Sequence, residues 1–223
     1  MARGRHPTRI HIDPPDEVTA AKYFMRWHGR EVRHEQRRFP GLTSRGIFGN
    51  NLPLEIDFGC GMGMFTCCRA KENPDINFLG IDKSQKPLYY AVRTAVEMSL
   101  GNIKFLRGDF GVMLPLLQSQ TVSNAYYLFP NPPLDYHSER ANMRRRLFFE
   151  SIHTALLPGG RFYFATDSHV FFTCVDGILR NDLIYKVLLQ DEIEGDIITG
   201  YRRRWEEEGR DVRELAVEKK TGE

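Results

Sequence analysis

Cysteine and tryptophan are scarce in this chain, at four and two of 223 residues, and the arrangement of the cysteines excludes two classes at once. Cys67 and Cys68 are adjacent, Cys60 sits among glycines and Cys174 stands alone, which outlines neither a disulfide framework nor a zinc site. Adjacent cysteines on a helix face different ways, so small buried side chains in a reducing compartment are expected. No apolar run reaches transmembrane length, and the N-terminus carries Arg and Pro where a secretory signal needs an apolar core. A cytoplasmic location without membrane contact is the expectation. Internal repeats, low-complexity segments and a metal-ligating cluster are missing too, so no metal is expected. A strong charge of one sign is also lacking, because the net charge is only +2.

What is present is an uneven distribution of that charge. Arginines gather at Arg3, Arg5, Arg9, Arg26, Arg30, Arg33, Arg37, Arg38 and Arg45, then at Arg144, Arg145 and Arg146, and again from Arg202 to Arg204. Such clusters suit a polyanion, and they equally suit solvated helix faces. Residues 1–50 have no strand-like run and contain Pro7, Pro14, Pro15 and Pro40, which reads as a basic arm with one helix from Glu17 to about Gln36. Residues 51–223 read as a single domain.

In that domain, short β-branched or aromatic runs alternate with helical stretches, the pattern of βαβ units and a parallel sheet. Strands are expected at Leu54–Phe58, Asn77–Ile81, Ile103–Arg107, Asn124–Phe129, Arg161–Ala165, Tyr185–Gln190 and Val212–Val217. Helices are expected at Gly63–Glu72, Lys86–Ser99, Met113–Leu117, Asn142–Leu156 and His169–Asn181. Seven strands with helices on both faces make a Rossmann-like α/β fold.

The segment Glu55-Ile56-Asp57-Phe58-Gly59-Cys60-Gly61-Met62-Gly63 reads as a buried strand that breaks into a glycine turn and opens a helix. Glycines there let the backbone bend sharply and come close to a ligand. Asp82 ends the next strand about 20 residues on, where an acid can hold both ribose hydroxyls. Asp109 ends the third strand at the same sheet edge, where it could read an adenine amine. A nicotinamide dehydrogenase shares these features, but a pyrophosphate is repelled by the acids Glu55 and Asp57, whereas the ammonium of a methionine moiety is attracted. S-adenosylmethionine is therefore the expected cofactor, bound by Glu55, Asp57, Gly59, Gly61, Gly63, Asp82 and Asp109. The plain alternative is a strand-turn-helix joint with no ligand.

From about Leu54 to Lys219 the chain resembles the tRNA (guanine-N7-)-methyltransferase family. The likeness rests on Glu55-Ile56-x-Phe58-Gly59-x-Gly61 and on Asn73-Pro74-Asp75-Ile76-Asn77-Phe78-Leu79-Gly80-Ile81-Asp82. It rests also on Leu157-Pro158-Gly159-Gly160-Arg161-Phe162-x-Phe164-Ala165-Thr166-Asp167, and on Thr199-Gly200-Tyr201 with Gly209 and Leu215-Ala216-Val217-Glu218-Lys219. The resemblance implies a class I methyltransferase fold of seven strands, the last antiparallel, and tRNA as substrate. It also places Asp167, Thr199 and Tyr201 at the substrate.

The sequence departs from the family after the fourth strand. Phe-Pro-Asp-Pro-Trp is replaced by Phe129-Pro130-Asn131-Pro132-Pro133, Asp135 stands at a lysine position and Arg202 at a glutamate position. Carboxylates near the base would stabilise the positive charge that grows on a methylated guanine, so these exchanges bear on the acceptor. Asn131-Pro132-Pro133 also resembles the motif of methyltransferases acting on amino groups, in which an amide oxygen accepts an amine hydrogen. Asn131 is thus the candidate catalytic residue and also flanks the cofactor, or it belongs to a rigid turn. Asp135, Asp167, Thr199, Tyr201, Arg202, Arg144 and Arg145 are candidate substrate contacts. The acceptor is expected in tRNA, with a small-molecule amine as the alternative, and a catalytically silent binding relative as the third reading.

Overall fold

The computed structural model describes residues 11–131, 138–181, 185–188, 207–209 and 211–220. Its strands are β1 (Phe24–Arg26), β2 (Leu54–Phe58), β3 (Asn77–Asp82), β4 (Ile103–Arg107), β5 (Val122–Leu128), β6 (Leu156–Thr166), β7 (Tyr185–Val187) and β8 (Arg213–Lys219). They form one sheet in the order β1-β4-β3-β2-β5-β6-β8-β7. The first six are parallel, and β8 runs antiparallel to both β6 and β7, so the expected reversal of the last strand is there.

All five residues of β2 are buried, because helices cover both faces of the sheet. Ile56 and Phe58 look into a core with Phe148, Phe149 and Ile152 of α7 (Glu139–Ala155) and Phe171 and Val175 of α8 (His169–Asn181). The other face is covered by α4 (Met64–Glu72) and α5 (Gln85–Glu97), with Cys67, Leu88, Ala91, Val92 and Ala95 packed on Phe78 and Phe105. Strand order runs outward from β2 in both directions. The crevice at the carboxyl ends of β2 and its neighbours is thus the topological switch point, the place where open α/β sheets bind ligands.

The expected elements hold from β2 onward, with shifted ends. α7 begins at Glu139 because the Ser138 hydroxyl caps it by accepting from Ala141 N, and α6 (Phe110–Met113) passes at Pro115 into a 3-10 turn, Leu114–Leu116. Residues 189 and 190 of the expected strand after Tyr185 lie outside the described residues.

The largest correction concerns the arm. In place of one helix there are α1 (Glu17–Tyr23), β1, α2 (Gly29–His34), a 3-10 turn at Gln36–Arg38 and α3 (Ser44–Phe48). The helix breaks at Phe24 because the run Phe24-Met25-Arg26 pairs with the open edge of β4, satisfying backbone groups there, while Tyr23 Oη donates to Leu100 O at 2.6 Å. Among the described residues the strands therefore number eight. Val32, Leu42 and Ile47 of this segment enter the same core as β2.

Candidate functional site

The glycine turn after β2 is tied to β3, since the N–H groups of Gly59 and Cys60 both donate to Ile81 O, at 2.7 and 3.3 Å. Gly59 and Gly61 have φ of +85° and +54°, a region that strains other residues. A side chain added at Gly59 would first meet the Phe110 ring at 3.6 Å, and one at Gly61 only Gly59 O at 4.0 Å, so both border open space. Gly63 behaves differently. A Cβ there would lie 2.5 Å from Ala91 Cβ and 3.0 Å from the Phe105 ring, so this glycine serves the seating of α4 on β4 and α5.

Asp82 stands at the end of β3, half-buried, with one carboxylate oxygen accepting from Gly61 N at 3.1 Å and the other from Ser84 N at 2.7 Å. It therefore shapes the turn and still has acceptor capacity facing outward, because an ionised carboxylate offers about four lone-pair sites. Asp109, at the end of β4, is exposed at the same edge. Gly108 beside it donates its N–H to Asp82 O at 3.0 Å. Sequence reasoning missed Phe110, whose ring closes against Gly59 and packs on Phe58 with centroids 5.9 Å apart. An aromatic residue directly after a strand-end acid was the available signal.

Asp57 and Glu55 project to the face beneath α4, yet they differ. The Asp57 carboxylate is 4% exposed and accepts from Thr66 Oγ1 at 2.6 Å. Burial, with the nearby Asp82 charge, pushes its pKa up to about 7. The Glu55 carboxylate accepts from Asn124 Nδ2 and Tyr126 Oη, both at 2.8 Å, and lies 3.5 Å from Arg69 of α4. At 2% exposure with three partners it joins β2 to β5 and α4.

On the other side of the switch point, β5 leaves the sheet through Phe129, a non-glycine residue at φ +49° whose N–H donates to Ala165 O at 2.8 Å. Such strain persists where surrounding structure enforces it, commonly at functional sites. The turn leads to Asn131, which is exposed. Asp167 is exposed just beyond β6, and the cap of α8 is Ser168, whose Oγ accepts from Phe171 N at 3.3 Å. Because β5 and β6 are adjacent and parallel, Asn131 and Asp167 share the edge that carries the glycine turn. Arg144 is exposed on α7, whereas Arg145 is 8% exposed and donates from Nη2 to Asn142 Oδ1. Asp135, Thr199, Tyr201 and Arg202 lie outside the described residues.

Chemically, the edge offers hydrogen-bond acceptors and negative charge around an open glycine turn. That acceptor set fits the ribose hydroxyls and cationic methionine end of S-adenosylmethionine. It does not fit a pyrophosphate, which would lie over the buried Asp57.

A family model described as "Putative methyltransferase" matches residues 51–215. A tRNA (guanine-N(7)-)-methyltransferase of Rubrobacter xylanophilus is 34% identical over 208 residues, covering 92% of this chain and 93% of the relative. One of Chloroherpeton thalassium is 33% identical over 223 residues, covering 98% of each. In fold, the chain is similar to a solved Streptococcus mutans protein, titled a putative methyltransferase in complex with SAH. The TM-score is 0.54 at 11% identity, over 87% of this chain and 99% of that one.

Proposed function

Because this chain belongs to the tRNA (guanine-N7-)-methyltransferase family, we propose that it methylates N7 of a guanine in tRNA, in the cytoplasm, from S-adenosylmethionine. The observation that carries this reading is the meeting of an open glycine turn and three strand-end carboxyls, Asp57, Asp82 and Asp109, at the switch point of the sheet.

When bound, S-adenosylmethionine supplies an electrophilic methyl group on a cationic sulfur. Asp82 would hold the ribose hydroxyls, and Asp109 the adenine amine, with Phe110 as an apolar wall. Gly59 and Gly61 admit the ligand close to the backbone. Asp57, beneath the turn, places negative potential under the methionine end. Glu55 positions the turn through Arg69 and Tyr126.

Guanine N7 has an in-plane lone pair and no proton to lose, so the protein has to align the base and tolerate the charge that develops on it. Asn131 offers an amide oxygen to the guanine edge, and Asp167 offers the carboxylate that Asn131 lacks. The exposed Arg144 would meet a phosphate. Asp135, Thr199, Tyr201 and Arg202 complete the acceptor side in this reading.

The test is incubation of the full chain with total tRNA and labelled S-adenosylmethionine, followed by mass spectrometry of the nucleosides. Label in 7-methylguanosine is the expected result. Label only in another nucleoside or in a small molecule would overturn the acceptor assignment.

A further inference from the structure

Residues 26–45 hold six arginines against two glutamates, whereas the whole chain has a net charge of only +2, so the rest of the molecule is net acidic. Arg26, Arg30, Arg33 and Arg37 are all exposed, while Arg38 is engaged by Glu35.

These charges are not carried on a loose tail. β1 pairs with β4, Val32 and Leu42 are buried in the core, and Leu42 N donates to Leu116 O at 2.9 Å. Gln36 Nε2 donates to Pro115 O at 2.8 Å, and the rings of Trp27 and Phe39 pack 5.2 Å apart. The segment is held at its start, middle and end, so its arginines are presented with little backbone entropy left to lose.

Their place matters as much as their number. Arg26, Arg107 and Asp82 are register partners across β1, β4 and β3, one row at the carboxyl edge of the sheet. Arg107 Nε donates to Lys83 O at 3.4 Å in that row. Beyond it, α2 lies against α6, with Gly29 over Val112, and α6 opens directly after Asp109. Cations thus rim an edge whose centre is lined by carboxyls.

We propose that Arg26, Arg30, Arg33 and Arg37 form a phosphate-binding surface for the RNA substrate, a role that rests on the tRNA reading above. The forked guanidinium matches phosphate oxygens. Val32 and Leu42 of the segment are buried and Trp27 and Phe39 are half-buried against the core, so none of its large apolar side chains stands fully exposed as an anchor for a lipid layer. The acids at the centre repel the sugar-phosphate backbone from the cofactor crevice, and the arginine rim holds it alongside, so that only a base reaches inward.

The test is tRNA affinity of the full chain against salt concentration, for the wild type and for the Arg30→Ala, Arg33→Ala, Arg37→Ala variant. Each phosphate contact adds about 0.7–0.9 to the slope of log affinity against log salt, so the triple variant should lose roughly 2. The matching Arg→Lys variant should keep the slope, and S-adenosylmethionine affinity by calorimetry should be unchanged in both. An unaltered slope in the alanine variant overturns the surface while leaving the tRNA reading intact. A wild type that does not bind tRNA overturns that reading itself. Loss of binding to phosphatidylserine vesicles with an unaltered tRNA slope would assign the patch to lipid and overturn the proposal.

Discussion

Asp57 is a carboxyl enclosed by its surroundings, so its ionisation bears on the stability of the fold. Thr66 is its hydrogen-bond donor, and Asp82 faces it across the turn with Cys60 beside them. Its pKa is raised from 3.8 to about 7, so over that window the folded protein holds a proton that the unfolded chain has released. Stability from this group is therefore full at low pH and is lost as pH rises, by at most about 1.4 kcal/mol per unit, with no further loss above about 7. Asp57→Asn cannot titrate. Urea midpoints at pH 5 and pH 8 should converge in the variant and diverge in the wild type, and parallel behaviour would exclude this account. Asp82 yields a different expectation, because it both shapes the turn and faces the ligand. Asp82→Ala should weaken S-adenosylmethionine binding about tenfold or more, the scale of a charged hydrogen bond, and unchanged calorimetric affinity would refute the cofactor map. Asn131→Asp should raise 7-methylguanosine formation, since it returns a carboxylate to the place where positive charge develops. Equal or lower yield in the tRNA assay would move the acceptor contact elsewhere.

Among the elements, α4 and β1 depend on contacts that no local pattern reveals. Gly63 starts α4 at φ +70° with Ala91 and Phe105 closing on it. Gly63→Ala must strain the backbone and displace that packing, and should cost about 1–3 kcal/mol in chemical unfolding. A variant as stable as the wild type would mean that α4 can shift. β1 is three residues long, too short to stand without an edge to join. Its hold includes the Tyr23 hydroxyl bond to Leu100 O, so Tyr23→Phe should lose about 1 kcal/mol and speed amide exchange along Phe24–Arg26. Exchange as slow as in the wild type would show that strand pairing alone secures β1.

For the whole molecule, the sheet from β2 to β6 was legible from the chain because each strand is a compact apolar run bounded by turn residues. The acids Asp82 and Asp109 were legible because ends of parallel strands lie at one edge by topology. The division between Glu55 and Asp57 was not. Both are acids of one strand, and only the positions of Asn124, Tyr126 and Arg69 tell the structural carboxylate from the one under the turn. Burial of Arg145 beside exposed Arg144 was likewise hidden in a row of three identical residues, since their faces follow from where α7 begins and how it seats. Periodicity, turn chemistry and motif spacing thus determined the fold class, the cofactor edge and the family likeness, because these follow from contacts within one element or from strand direction. The strand formed by the arm, the packing role of Gly63, the partners of Glu55 and the ring of Phe110 against Gly59 were decided by the tertiary structure. Each depends on groups far apart in sequence, whose meeting the local chain does not encode.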